Sequence, residues 1–269
     1  MRSRAARLPC SDLVLIVWIW IGLSFEKEEA MHRRNPRAFS LVELLVVIGI
    51  IALLIAVLMP VMASARKSAM RVKCLSNMRQ LALAQCAYAS TNRDALVIAG
   101  DGLETQGSWL GLLQPYTRVV LARRCPMDGS RFFDDPFDAT TNPPTYRTTS
   151  YAINNFVSPT HTPNGAKRYE KLTQIRSSSR IIQFAELAEQ GPYAVADHVH
   201  VQQFFNSLIP QAVVSLASEQ MPIGRHGGRV KNFNGVLNYT FLDGHAEALP
   251  FRDVYQNKTI NLFDPSLNH

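Results

Sequence analysis

The chain has 269 residues, 47% of them hydrophobic, and a formal net charge of +7. Residues 1–38 hold seven Lys/Arg against four Asp/Glu, so the chain from Phe39 onward carries only +4. That mild excess, with no Lys/Arg run interleaved with aromatics, argues against nucleic acid as a partner.

Leu13–Phe25 is a 13-residue apolar run, too short to span a bilayer comfortably but of the length of a signal-peptide core. Met31 begins a second export signal, the short basic leader MHRRNPRA (31–38). Two such signals in tandem are unusual. Translation is therefore expected to start at Met31, with residues 1–30 an upstream extension; the alternative is a long leader with a second membrane-active segment.

From Phe39 to Met59 the only charge is Glu43. As a helix this run is about 31 Å long, enough to cross the hydrocarbon core. Arg33, Arg34 and Arg37 precede it, which holds the N-terminal flank in the cytoplasm and exports the rest. A carboxylate inside a membrane helix costs about 3 kcal/mol on insertion scales. No Lys, Arg or His lies between Phe39 and Arg66 to offset it. A cut before Phe39 would create an α-amino group one turn from Glu43. Among parallel helices that amine can pair with a neighbour's Glu43. Hydration of Glu43 by nearby headgroups is the competing reading.

Residues 61–95 continue as an amphipathic helix, kinked or loosened at Pro60. Its expected stripe is Leu75, Met78, Ala82, Cys86 and Ala89, with Arg66, Lys67, Arg71, Lys73 and Arg79 on the other faces. Those basic residues are near enough to the membrane to touch lipid phosphate, although a solvated face explains them as well. Residues 96–269 are long enough for one domain with its own core. WLGLLQPY is a short helix or turn. Asp128–Pro144 reads as a long ordered loop whose acids, Asp128, Asp134, Asp135 and Asp138, could bind calcium; their spacing matches no calcium loop, so solvated loop acids are the expectation. SYAINNFV and RIIQFAEL are strands, the second buried and ending at Glu186. Tyr193–Pro210 is ambiguous; His198 and His200 flank Val199, a period-two pair that can chelate a metal, but exposure on a strand is the expectation.

The chain from Phe39 has three cysteines, Cys74, Cys86 and Cys125. After export, a Cys74–Cys125 bridge would close a loop of about 50 residues and contribute about 4 kcal/mol in the chain-entropy model. Cys86 would then be a buried free thiol. Three reduced, packed cysteines are the alternative, and spacing does not fix the connectivity. CPMD alone is too sparse for zinc, since no second cysteine pair accompanies it.

Near the C-terminus, Val236–Leu242, the Asp243-Gly244 turn and His245–Leu249 read as a β-hairpin. His226, Asp243 and His245 suggest a metal or hydrolytic site, but the turn already accounts for Asp243 and Gly244. Neither a nucleophile elbow nor an HExxH motif accompanies them.

RAFSLVELLVVIGIIALLIAVLMPVMASAR resembles the leader and N-terminal helix of type IV pilins and type II secretion pseudopilins. The resemblance implies cleavage by prepilin peptidase between Ala38 and Phe39, N-methylation of Phe39 and assembly guided by Glu43. Pro60 stands where the family often has a helix-kinking proline; Ala38 stands where it normally has glycine. Related major pseudopilins often hold calcium in a loop comparable to 128–144. A second resemblance is to exported proteins of planctomycetes and their relatives. Those combine such an N-terminus with NLRQL-, CPxD- and FAE-like segments and end in RHxGG and FxDGH. Here the segments are SNMRQLALA, CPMD, IIQFAE, RHGG and FLDGHAEAL.

The expected fold is α+β: a long membrane-spanning helix continuing into a pilin-like domain with an antiparallel sheet. The resemblance implies a structural subunit rather than an enzyme, with no required cofactor. Its partners would be prepilin peptidase, other subunits, the inner-membrane assembly machinery and membrane lipid. It implies a single inner-membrane pass with the domain in the periplasm. The alternatives are a tethered module that binds a secreted substrate or glycan, and a metal-dependent enzyme built on His226, Asp243 and His245.

Overall fold

The computed structural model describes residues 40–100, 107–117, 123–141, 143–205, 207 and 209–267. Ala38, Phe39 and the whole leader lie outside them. The chain divides into two units, Met1–Ala56 and Val57–His269.

The first long element is α1 (Leu41–Thr91), with Pro60 inside it. In the first unit every described residue of α1 is exposed, and the exposed side chains are Leu, Val and Ile on all sides of the helix. A helix apolar all round is suited to lipid rather than water. It is long and apolar enough to cross a membrane, and it fits a single-pass anchor.

In the second unit α1 acquires one buried face: Cys74, Asn77, Met78, Leu81, Ala82, Ala84, Gln85 and Ala89. The seam 74-78-81-85 has the three-and-four spacing of a packed helix. It sits slightly off the expected stripe, leaving Leu75 and Cys86 half-buried. Two polar residues explain the offset. The Gln85 amide spans the following segment, donating to Ala95 O (3.1 Å) and accepting from Val97 N–H (3.2 Å). Asn77 donates to the Tyr151 hydroxyl and to Arg124 O, both at 3.4 Å. The helix stops at Thr91, short of residue 95, because Arg93 and Asp94 take φ values of 55° and 63°. This left-handed pair turns Asp94 N–H back onto Ala89 O (2.8 Å).

The remaining elements are α2 (Trp109–Leu113), β1 (Tyr151–Asn154), β2 (Ile182–Glu186), β3 (His198–Val199), α3 (Gln202–Phe205), α4 (Pro210–Gln220), β4 (Val236–Phe241), β5 (Ala246–Pro250), α5 (Phe251–Val254), β6 (Tyr255–Asn257) and β7 (Ile260–Asn261). Strands β3-β1-β2-β4-β5 form one sheet, and β6-β7 a small second one. The main sheet is mixed rather than antiparallel. Three neighbour pairs are antiparallel, while the edge strand β3 lies parallel to β1. The long excursion between β2 and β3 allows that parallel return, which a tight hairpin would forbid.

The sheet divides two cores. On one side Tyr151, Ile153 and Phe184 pack with Cys74, Met78 and Leu81 of α1 and with Trp109, Leu110 and Leu113 of α2. On the other, Ala152, Ala185, Leu237 and Tyr239 pack with Val213, Val214 and Ala217 of α4 and with the aromatics Phe204, Phe251 and Phe263. The alternation of Tyr151, Ala152 and Ile153 between these cores is the two-residue period of a strand covered on both faces. The hairpin turn at Asp243-Gly244 needs glycine twice over. Its φ is +94°, and a Cβ would meet Cys86 Sγ and Leu83 Cδ2 at 3.3 Å.

Candidate functional site

Two places concentrate unusual chemistry. The first is the start of α1. Ser40 Oγ accepts the Val42 N–H at 3.3 Å, and Glu43 Oε2 accepts the Ser40 N–H at 2.9 Å. This is a capping box: serine before the first turn and glutamate three residues on satisfy backbone donors that a helix start leaves unpaired. Glu43 therefore has a partner within its own chain, the Ser40 N–H, although no cationic residue lies between Phe39 and Arg66. The S-x-x-E signature was present in the sequence. Glu43 also places negative charge at the positive end of the helix dipole.

The second is buried beneath the sheet. Cys74 lies on α1 at the beginning of its buried seam. Cys125 is fixed by its N–H to Ser150 Oγ (2.9 Å), just ahead of β1. Glu186 ends β2 opposite Tyr151. His226 is held ahead of β4 by a two-way backbone exchange: its N–H donates to Val236 O (3.1 Å), and Val236 N–H donates to Gly227 O (2.8 Å). The side-chain donor atoms of these four residues all lie within 4.8 Å of one another, and all four residues are buried. Cys74 Sγ donates to Glu186 Oε1 at 2.9 Å. His226 Nε2 also reaches Glu186 Oε1, at 2.8 Å, and lies 4.0 Å from Cys125 Sγ.

Both Cys74 and Cys125 are free thiols in the structure, as is Cys86, which is half-buried and lies 3.8 Å from Leu242 O. The cluster has consistent electrostatics. Burial alone would raise Glu186, but hydrogen bonding to His226 and the charge of Arg225 hold it at about 2. Burial alone would lower His226, but hydrogen bonds with Cys125 and Glu186 raise it to about 9. The hydrogen bond from Cys74 takes Cys125 down to about 7, against the effect of burial. Burial drives Cys74 far up, so it keeps its proton.

A buried ion network adjoins the cluster. Arg147 donates to Asp128 Oδ2 (2.6 Å), Leu187 O (3.0 Å), Ala188 O and Ala194 O. Arg225 donates to Leu187 O (3.2 Å) and Glu189 Oε1 (3.1 Å), and its Nη1 stands 3.5 Å from Glu186 Oε1. Asp128 is thus a core ion-pair partner and not a solvated loop acid. Asp138 instead caps its own turn through Thr140, and Asp134 lies 3.8 Å from Arg124. KCLSN, CPMD, FAE and RHGG, scattered over 150 residues of sequence, therefore meet at one buried point.

The other sequence candidates separate. His226 faces Glu186 and Cys125, whereas Asp243 and His245 pair with each other in the exposed turn at 2.6 Å, His245 stacked on Phe241. His198 is buried, contrary to the expectation of exposure. Its Nδ1 bonds Asp197 Oδ1 (2.9 Å) and its Nε2 contacts His200 Nε2 (3.0 Å). His161 stacks on His198 at 4.2 Å between ring centres. With Phe137 and Tyr193 these histidines line a cavity of about 550 Å³.

Residues 33–59 match the family model described as the prokaryotic N-terminal methylation motif. No curated protein and no solved structure matches the chain. The N-terminal segment is similar to that of prepilin-type precursors. The motif implies processing by prepilin peptidase and association with other pilin-like subunits.

Proposed function

We propose that the chain is a pseudopilin-like subunit. It is cut between Ala38 and Phe39, methylated on Phe39 and drawn through its helix into a periplasmic filament of a type II secretion or type IV pilus-like system. The observation that carries this reading is the methylation motif at 33–59, followed by a stretch of helix exposed and apolar on all sides and then by a stretch with one buried face. The bilayer stores the subunit. On assembly the Glu43 carboxylate exchanges its contact with Ser40 N–H for the α-amine of a neighbour's Phe39. Desolvating that pair makes it a device for register more than for stability. Mass spectrometry of the mature N-terminus from native membranes tests the reading. N-methyl-Phe39 is expected; a chain retaining its leader would overturn it.

The second reading, a tethered binding module, has one observation in its favour. The cavity of about 550 Å³ lined by Phe137, Tyr193 and the three histidines falls in the size range of small-molecule sites. It would lead if replacing Phe39–Pro60 by an unrelated anchor left full function.

A further inference from the structure

We infer that Cys74, Cys125, Glu186 and His226 form a structural zinc site. Four donors of the types zinc takes converge from four separate segments: a helix, a loop, a strand end and a turn. Zinc bonds of about 2.0–2.3 Å arranged tetrahedrally place neighbouring ligand atoms about 3.3–3.8 Å apart. The observed separations are 2.8 Å for His226 Nε2 to Glu186 Oε1, 2.9 Å for Cys74 Sγ to Glu186 Oε1 and 4.0 Å for Cys125 Sγ to His226 Nε2. Shifts of less than about 1 Å, within the reach of side-chain rotation, turn one set into the other.

The surroundings favour a cation over a simple disulfide. A disulfide would use two of the four donors and leave the Glu186–His226 pair in the core beside it. Two thiolates and a carboxylate around Zn²⁺ carry a net single negative charge, and Arg225, its side chain 4% exposed, stands 3.5 Å from Glu186 to balance it. The ligand set selects the metal. Paired thiolates disfavour calcium and magnesium, which take oxygen, and suit borderline-soft zinc. With four protein ligands no position stays open for substrate, so the role is structural. Loading requires both thiols and His226 Nε2 to be deprotonated, so zinc binding releases protons to solvent. No oxidant or reductant is needed.

The test uses the full chain, purified in detergent without chelator. About one zinc per chain is expected, with both thiols alkylated once the protein is denatured in chelator. Exchange with Co²⁺ should give the near-ultraviolet charge-transfer band of thiolate ligation and the visible bands of a tetrahedral ion. Cys125→Ser, which leaves Cys74 as the one thiolate ligand, should reduce the charge-transfer band to roughly half, and His226→Gln should weaken zinc binding at least tenfold. A His161→Ala/His200→Ala chain should keep both, separating this site from the histidine cavity. Should a ligand variant fail to fold, X-ray absorption of the wild-type zinc chain still decides, since two sulfur and two nitrogen or oxygen neighbours are expected. A metal-free chain with a Cys74–Cys125 disulfide would overturn the inference, as would Co²⁺ binding without a charge-transfer band.

Discussion

Asp128→Asn should destabilise the second unit far more than its change of one atom suggests. Both side chains of the Asp128–Arg147 pair are fully buried at 2.6 Å. Arg225 lies 3.8 Å from the same carboxylate oxygen. Removing the charge leaves two buried guanidinium groups facing Glu186 and the partly exposed Glu189. Neither arginine can shed its proton at neutral pH. Asparagine keeps the shape and can still accept the Ser130 N–H that Asp128 Oδ1 takes at 2.9 Å, so the loss isolates the charge. Breaking a buried pair from one side costs about 3–5 kcal/mol. That is a large share of the roughly 5–15 kcal/mol that holds a domain folded. At this size it corresponds to a fall in Tm of about 6–20 °C. The assay is thermal unfolding of the full chain in detergent, followed by Trp109 fluorescence with Trp18 and Trp20 replaced by phenylalanine. Trp109 is buried against Phe184 and reports the core. Asp128→Leu combined with Arg147→Met should recover only part of the loss, because the carbonyls of Leu187, Ala188 and Ala194 would lack their donor. A fall in Tm below about 2 °C for Asp128→Asn would refute the reasoning.

Glu43→Gln keeps the capping box and removes the charge, while Glu43→Ala removes both, at about 1 kcal/mol for the cap. Both variants should insert in the membrane and both should fail to enter filaments; normal assembly of the glutamine variant, scored by cross-linking, would leave Glu43 with its capping role alone. Gly228→Ala should lower stability to urea by at least about 2 kcal/mol, because φ is +70° and the new Cβ would lie 2.1 Å from Asn234 O. His200 is held at about 4 by burial and by the neighbouring His198 and His161, while Asp197 and Gln220 partly oppose the shift. Its folded pKa lies below the unfolded value, so the unfolded chain takes up the proton first, and stability falls as pH drops from about 6.5 towards 4. For a half-buried ring, discounted for solvent screening, the loss is about 1–2 kcal/mol. Urea unfolding at either end of that window should show it, and His200→Gln should remove it.

The membrane helix was legible because hydropathy adds along the chain and needs no partner. The β4–β5 hairpin was legible because Asp243-Gly244 is a local signal between apolar runs. Helix α4 went unread: it opens on Pro210 and is built from Ala, Val and Ser, a composition that loops share, and only its packing against the sheet selects the helix. Asn77 and Gln85 shifted the seam of α1 because hydropathy marks polar residues as outward, whereas here each finds buried partners. Glu186, Cys74, Cys125 and His226 each stand in a separate segment of the sequence. They could not be read as a set, since Cys74 and Glu186 are 112 residues apart and Cys125 and His226 are 101 apart. Only the pairing of Tyr151 with Glu186, and the return of the chain ahead of β4, brings them together.

The placement of the cluster along α1 bears on how the subunit would carry load. A subunit drawn through its helix transmits force from the apolar segment into the domain along the seam that starts at Cys74, the first fully buried residue of α1. Such a seam peels from the loaded end, so the contact made there bears more than its share. Met78 and Leu81 contribute about 1.5–3 kcal/mol each by burial, spread over many weak contacts. A coordinated ion at Cys74 would instead join the helix directly to Cys125, Glu186 and His226 and resist the first step of peeling. Chelation should therefore speed amide exchange most around residues 74–78, with the effect fading towards Ala89. Uniform acceleration along the seam would show that the metal stabilises the domain as a whole without reinforcing that end.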